Sequence, residues 1–149
     1  MHTPTPLRDT EYEELYEFRA RLLRFLRASD RRIQDAGITP SQYLLLLGVR
    51  ARRDERGPTI GDMAEFLQVK HHSAVELVDR AARADLVVRR EDPDDGRVVR
   101  LALTFAGTQL LERVASTNYR ELRTLELISD VLDVSDHPEP AGRALGPRS

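Results

Sequence analysis

The sequence predicts a mainly α-helical fold with a small β-hairpin, and two patterns support this prediction. Apolar residues recur every three or four positions over most of the chain, which is the period of amphipathic helices. Two short apolar runs flank Asp92 to Gly96, a segment dense in turn-forming residues, and this arrangement is typical of a hairpin. We therefore expect one domain over residues 10–133, between a flexible arm (1–9) and a disordered, proline-rich tail (134–149).

The first half of the chain contains signals for two helices. An apolar stripe between Leu15 and Ile33 predicts a long amphipathic helix over about residues 9–34. Thr39, followed by Pro40, predicts the capped start of a second helix, because threonine caps helices and proline suits their first position. This second helix is apolar almost all round, so we expect it in the middle of the domain.

The middle of the chain predicts a helix-turn-helix. Thr59 predicts the capped start of a short third helix, and a fourth helix follows over about residues 70–84. Only Gln68 and Val69 separate the two, and two short helices joined by so tight a turn form a helix-turn-helix. The predicted inner face of the fourth helix consists of Ala74, Leu77, Val78 and Ala81.

The hairpin and a last helix complete the predicted fold. Strands are expected at residues 86–90 and 98–103, and Thr104 predicts the capped start of a long final helix. A helix-turn-helix followed by a hairpin is a winged helix-turn-helix domain, which here covers about residues 39–104. The long first and last helices have no evident partner within the chain along their whole length, so we expect them to be dimerisation helices of a homodimer.

The composition excludes several classes of site. The 149 residues include 23 Lys and Arg against 25 Asp and Glu, so the formal net charge of −2 does not by itself suggest a nucleic-acid partner. The absence of cysteine excludes disulfides, thiolate metal sites and thiol redox sensing. Neither a secretory signal nor a membrane-spanning stretch is evident, and we expect a cytoplasmic protein without a membrane partner.

Several segments between residues 59 and 107 resemble the MarR family of bacterial transcription regulators. They are Thr59–Leu67, Val78–Arg80, Leu86–Arg89, Asp95–Arg97 and Leu103–Gly107, and the last two together are the most specific. The resemblance implies a homodimer that binds a near-palindromic double-stranded DNA operator, and a repressor that a small, often aromatic, ligand releases. The sequence has Asp85 where the family usually has glycine, and Lys70 where the family often has a Ser or Thr cap.

The helix-turn-helix geometry and the resemblance together imply a set of DNA-binding residues. The first turns of the fourth helix are expected in the major groove, and the residues expected to contact bases are His71, His72, Ser73 and Glu76. The resemblance places Arg97 in the minor groove, where Asp95 would hold its side chain extended. The other predicted DNA-binding residues are Lys70, Arg80, Arg89, Arg90 and Arg100, of which the last three are expected to contact phosphates.

Each of these assignments has an alternative, and Arg89, Arg90 and Arg100 can equally form a solvated face of the hairpin. Lys70 can extend into water without any function, and the pair His71-His72 can be solvated surface. A metal site at the two histidines is not expected, since no third ligand has suitable spacing. Arg97 and Asp95 can form a surface ion pair that only fixes the hairpin. Asp79, like Glu76, would repel phosphates, so both acids are expected to face bases or to pair with Arg80 and Arg83.

Two other function classes were compared with DNA binding. An enzyme is not expected, because the sequence has no glycine-rich phosphate loop, no cysteine nucleophile and no Ser-His-acid set, and neither a cofactor nor a metal is expected. The main alternative is a winged-helix protein–protein interaction module, or a partner regulator, that does not bind DNA. The balance of seven basic and seven acidic residues over 70–100 favours this alternative.

Overall fold

A computed structural model describes residues 5–53 and 56–125, which form five helices and a two-stranded antiparallel sheet. The elements in chain order are α1 (Asp9–Asp35), α2 (Pro40–Ala51), α3 (Ile60–Leu67), α4 (His71–Arg83), β1 (Val87–Glu91), β2 (Val99–Leu103) and α5 (Phe105–Thr124). The predicted mainly α-helical fold with one hairpin is confirmed. The predicted tail, the end of the last helix beyond 125 and residues 1–4 of the predicted arm lie outside the described residues. No helix among the described residues is long and apolar enough to cross a bilayer.

The predicted helix starts at the three threonines are confirmed. Thr39 Oγ1 accepts the backbone N–H of Gln42 at 3.1 Å, and the Gln42 side chain accepts the N–H of Thr39 in return. Thr59 and Asp62 form the same reciprocal pair at the start of α3, at 3.0 and 2.9 Å. The hydrogen bond from the Thr59 N–H holds the pKa of Asp62 below its usual value. Thr104 caps α5 by accepting the N–H of Gly107 at 2.9 Å.

The core lies between α2, the helix-turn-helix and the inner face of the hairpin. Its largest fully buried side chains are Ile33, Leu45, Leu46, Met63, Val78, Val87 and Leu101. The hairpin pairs Val87 with Leu103 and Arg89 with Leu101. On the other edge of β2, the Leu101 N–H donates a hydrogen bond to the carbonyl oxygen of Pro58. Gly107 lies so close to β1 that a Cβ there would be 2.0 Å from the carbonyl oxygen of Leu86, which explains the need for glycine at the start of α5.

Two tight turns require left-handed backbone at residues other than glycine. Gln68 ends α3 with a φ of 55°, and Asp85 leads from α4 into β1 with a φ of 58°. Asp85 therefore adopts the left-handed conformation that its place at the end of the helix demands, although the MarR family usually has glycine there.

The C-terminal third of α1 packs against α5, while its N-terminal part extends away from the core. Asn118, buried on α5, donates to Ser29 Oγ at 2.9 Å and to the Tyr43 hydroxyl at 3.1 Å, and accepts from Arg32 Nη1 at 2.7 Å. The predicted stripe of α1 is buried only at its end, at Ile33. Large apolar side chains that stay exposed on α1 are Tyr12, Leu15, Tyr16, Phe18, Leu23 and Leu26.

Candidate nucleic-acid interface

Helix α4 separates its apolar and polar residues into two faces, as predicted. The four residues predicted for the inner face, Ala74, Leu77, Val78 and Ala81, are all buried. The predicted base-contacting residues lie on the other face, where His71, His72 and Glu76 are exposed and Ser73 is half-buried. Arg80 is exposed on the same helix. The structure thus brings together the side chains that the sequence analysis assigned to base contacts.

Lys70 is the N-cap residue of α4 but does not cap it with its side chain. Its backbone is extended (φ −67°, ψ 152°), and its exposed side chain makes no capping hydrogen bond to α4. The first turn of α4 also contains no acidic residue. The positive end of the helix dipole is therefore not neutralised from within α4, and a cationic side chain stands at its entrance.

The wing, which we define as residues 92–98, is a turn organised around a buried carboxylate. Asp92 is buried to 5% relative exposure, and its Oδ1 accepts the backbone N–H groups of Asp94 and Asp95 at 2.9 and 3.1 Å. Its Oδ2 accepts from Arg100 Nε at 2.9 Å, and Arg56 Nη1 lies 3.6 Å from Oδ1. These donors hold the pKa of Asp92 below its usual value, and the hydrogen bond from the Asp94 N–H has the largest effect.

Arg97 extends from the wing and is held by Asp95. The Arg97 side chain is 91% exposed, and its Nε and Nη2 donate to the two carboxylate oxygens of Asp95 at 3.2 and 3.4 Å. The backbone N–H of Arg97 donates to the same carboxylate at 3.0 Å. The contact between Arg97 and Asp95 that was expected from the sequence is therefore present.

The three arginines expected at phosphates have three different environments. Arg89 forms an ion pair with Asp79 of α4. From the sequence, Asp79 was expected to face bases or to pair with Arg80 and Arg83; its carboxylate instead pairs with Arg89, because β1 packs against α4 and brings this strand residue to it. Among the residues that the structure describes, Arg83 donates only to the backbone carbonyl of Asp79.

Arg100 and Arg90 lie on the other face of the hairpin. Arg100 has a half-buried side chain that donates to Asp92 and, at 3.2 Å, to the carbonyl of Gly57. This geometry favours an anchoring role over the phosphate contact expected from the sequence. Arg90 is exposed, and it borders a cleft together with Arg50 and Arg53.

Asp92 and Arg56 were not predicted as functional residues from the sequence. Asp92 was expected only to form part of a turn, although an aspartate at the start of a turn commonly accepts the following backbone N–H groups. Arg56 lies between α2 and α3, where no local pattern in the sequence indicates a partner. Arg56 in fact forms an ion pair with Asp94 in addition to its contact with Asp92, and these pairs connect residues 36 or more positions apart.

A cavity of about 430 Å³ lies between α1, α2 and α5. Its polar lining includes Ser29, Tyr43 and Asn118, and most of the rest is apolar. Tyr43 lines this cavity, whereas Tyr12 and Tyr16 do not. Tyr12 and Tyr16 lie on α1 with exposures of 58% and 71%.

The helix-turn-helix and the adjoining wing define a winged helix-turn-helix protein, and comparisons with known proteins agree. A profile of the MarR family matches residues 36–98. The uncharacterized HTH-type transcriptional regulator YsmB of Bacillus subtilis is 30% identical over 88 residues, which are 59% of this chain and 58% of the relative. The HTH-type transcriptional repressor MdtR of the same organism is 27% identical over 82 residues, 55% of this chain and 51% of the relative.

Solved structures extend the similarity over most of the chain. A complex of S. aureus MepR with DNA is 25% identical, has a TM-score of 0.62, and is matched over 80% of this chain and 90% of that one. The chain spans about half the length of the curated relatives it matches. The family profile, the curated relatives and the solved structures agree, and each indicates similarity to MarR-family regulators.

Proposed function

We propose that this protein is a sequence-specific, double-stranded DNA-binding transcriptional regulator that acts as a homodimer and as a repressor. The observation that carries the proposal is that the hairpin is joined to α4, the helix whose polar face is exposed. The polar face of α4 is exposed, and the hairpin carrying the extended Arg97 side chain lies against α4, to which the Arg89–Asp79 pair joins it. This arrangement supports an approach of α4 to the major groove and of Arg97 to the adjacent minor groove.

The first turn of α4 supports a phosphate contact at its N-terminus. The unneutralised helix end and the Lys70 side chain both favour an anion, and forgoing a side-chain cap costs about 1 kcal/mol. A DNA phosphate would compensate for both. Within the same proposal, His72 and Glu76 contact base edges, since imidazole can donate or accept and a carboxylate accepts from cytosine N4.

A salt titration distinguishes DNA binding from the interaction-module alternative. We expect binding of the full chain to a random duplex, with the logarithm of the affinity falling linearly with the logarithm of salt concentration. Sequencing of DNA fragments recovered with the purified protein should then give a near-palindromic site that is bound more tightly than random duplex. No binding to either duplex at low salt would favour the interaction module and reject the proposal.

The homodimer is supported by the exposed apolar side chains of α1. Leu15 is 53% exposed and lies among other exposed apolar residues, which is unfavourable unless a second surface covers them. We expect Leu15→Glu to convert a dimer into a monomer in sedimentation equilibrium. Thr10→Glu is the control, because it introduces the same charge on another side of α1. At 100° per helical residue, position 10 lies about 140° around the helix axis from Leu15, and this variant should leave the dimer intact. A monomeric wild-type protein would contradict this part of the proposal.

The cavity between α1, α2 and α5 supports release by a small aromatic ligand. Its volume is in the usual range for ligand pockets, and Asn118, Ser29 and Tyr43 offer hydrogen-bonding groups in a mostly apolar lining. None of the described lining residues is Lys or Arg and one is the acidic Asp30, so an uncharged aromatic ligand is favoured over an aromatic carboxylate. Such a ligand would act by binding better to a state whose recognition helices do not match the operator.

Ligand release and repression have separate tests. Uncharged aromatic compounds that raise the melting temperature should weaken operator binding, and Ala115→Trp, which fills the cavity, should abolish both effects. Persistence of both effects in Ala115→Trp would place the ligand elsewhere.

A reporter promoter carrying the recovered site should be expressed less when the protein is present, and higher expression would indicate an activator.

A further inference from the structure

A network of arginine and aspartate side chains joins the wing to the loop that precedes the helix-turn-helix. Asp92 binds Arg100 and contacts Arg56, Arg56 also pairs with Asp94, and Arg100 donates to the carbonyl of Gly57. Next to it, the Leu101 N–H donates to the Pro58 carbonyl at 2.8 Å. The network therefore connects the wing with residues 56–58, which lead directly into the cap of α3.

Asp92 is unusual because it is a charged side chain that is almost fully buried in an otherwise exposed turn. Its side chain is 3% exposed, whereas that of Asp94 is 66% exposed and that of Arg97 91%. Burial of a carboxylate is unfavourable unless charged and hydrogen-bonding partners compensate for it, and Asp92 has two arginines and two backbone N–H groups as partners. A turn that only had to reverse the chain would not need this arrangement.

We propose that Asp92, held by Arg100 and Arg56, is a positioning residue that fixes the wing relative to the helix-turn-helix and so aims Arg97 at the DNA. The inference rests on the proposed DNA binding. Asp92 sets the turn from which Asp95 and Arg97 extend, and Arg56 ties that turn to the segment entering α3. Holding the wing in its bound position before DNA arrives reduces the ordering cost of binding.

Asp92→Asn is the most informative variant. The introduced asparagine keeps an oxygen for the N–H groups of Asp94 and Asp95 but places an amide NH₂ group against Arg100, so the turn keeps its acceptor and loses its anchor. We expect about fivefold weaker binding to random duplex, even though the variant removes a negative charge. Glu112→Gln removes the same charge at an exposed site on α5 and should change the affinity less than about twofold.

Arg56→Gln provides a second variant that leaves the Asp92–Arg100 pair intact, and it should also weaken binding. Its matched control is Arg53→Gln, which removes the same charge from the same loop at an exposed residue. Equal effects of Arg56→Gln and Arg53→Gln would mean that the loop acts only through its positive charge, and would overturn the positioning role of Arg56.

The readout that separates positioning from general stability is coupling to Arg97. If Asp92 acts through Arg97, the double variant Asp92→Asn/Arg97→Ala should bind DNA no more weakly than Arg97→Ala alone. Each single variant should also reduce, by about one, the slope of the logarithm of affinity against the logarithm of salt concentration. Full additivity of the two losses, or wild-type affinity of Asp92→Asn, would overturn the inference. Melting temperatures identify any variant whose loss comes from unfolding.

Hydrogen exchange of residues 92–98 in the free protein tests the wing without DNA. Faster exchange in Asp92→Asn and Arg56→Gln than in their controls is expected, because the wing opens more often when its anchor is lost. Faster exchange with unchanged DNA affinity would overturn the inference while leaving the proposed function in place. Failure of the wild-type protein to bind any duplex would instead reject the proposed function, and the inference with it.

Discussion

The two elements proposed to contact DNA, α4 and the wing, differ in how their polar side chains are held. Among the described residues, His71, His72 and Glu76 on α4 have no side-chain hydrogen bond or ion pair. In the wing, by contrast, Asp92, Asp94, Asp95 and Arg97 all have charged partners. The helix thus presents free side chains on a rigid backbone, while the wing presents a side chain whose direction is fixed by its neighbours.

The difference indicates a division of roles within one interface. Free side chains on α4 can adjust to the donors and acceptors of different base pairs, which suits readout of sequence. A held arginine loses less entropy on binding and contributes similarly on many sequences, which suits general affinity. Because the segment from Lys70 to Arg100 is neutral overall, the few cations that are positioned correctly should contribute a large share of the affinity.

The largest expected effect is that of Arg97→Ala. We expect a loss of about 1–3 kcal/mol, roughly 5- to 150-fold, on operator and random duplex alike, because the contact depends little on sequence. Fluorescence anisotropy with both duplexes measures it, and Arg113→Ala, an exposed arginine of α5, is the control. A loss confined to the operator would break the proposed division, since the wing would then be reading sequence.

The next effect concerns α4. His72→Ala and Glu76→Gln should change which sequences are preferred, with about 1–3 kcal/mol less discrimination at one base pair and little change on random duplex. Selection from a randomised duplex pool, repeated with each variant, would identify the affected positions. If both variants select the wild-type site, the exposed face of α4 does not read bases.

A smaller effect, and one of opposite sign, is expected for Asp79→Asn. The substitution frees Arg89 from its ion pair and removes a negative charge from the proposed DNA-facing side. Since exposed pairs contribute under about 1 kcal/mol, binding to any duplex should tighten by less than about fivefold. Glu112→Gln again controls for charge. Weaker binding of Asp79→Asn would mean that the pair itself holds the hairpin against α4 in the bound position.

The order of the helices and strands could be predicted from local signals in the sequence. The network of ion pairs that holds the wing could not. Thr39, Thr59 and Thr104 each cap a helix through residues within three positions, so the sequence contains both partners of each bond close together. The amphipathic period of α4 likewise predicts its buried face without knowledge of the rest of the fold. The Arg56–Asp92 and Asp79–Arg89 pairs depend on how the hairpin packs, and no local spacing determines that packing.

The same reasoning explains why α1 was only partly predicted. Its apolar stripe predicts a helix that buries one face, and the helix is present, but among its described residues only Ser29 and Ile33 are buried, where α1 packs against α2 and α5. The side chains around Leu15 remain exposed within one chain, and in the proposed homodimer a second copy would cover them. A periodic pattern predicts that a face is covered and not which chain covers it.

The smallest expected effect is on the acid stability of the wing. Because the partners of Asp92 lower its pKa in the folded protein, its stabilising contribution is fully present above about pH 4, near the ordinary pKa of an aspartate. That contribution is lost as the pH falls through the lowered pKa of the folded state. Urea unfolding of wild type and Asp92→Asn at pH 7 and at several values below about pH 4 should therefore show a stability difference that is constant at first and then shrinks. A difference that stays the same down to about pH 2 would mean that the charge of Asp92 does not hold the wing. In that case the contrast with α4 would rest on the backbone geometry of the turn alone.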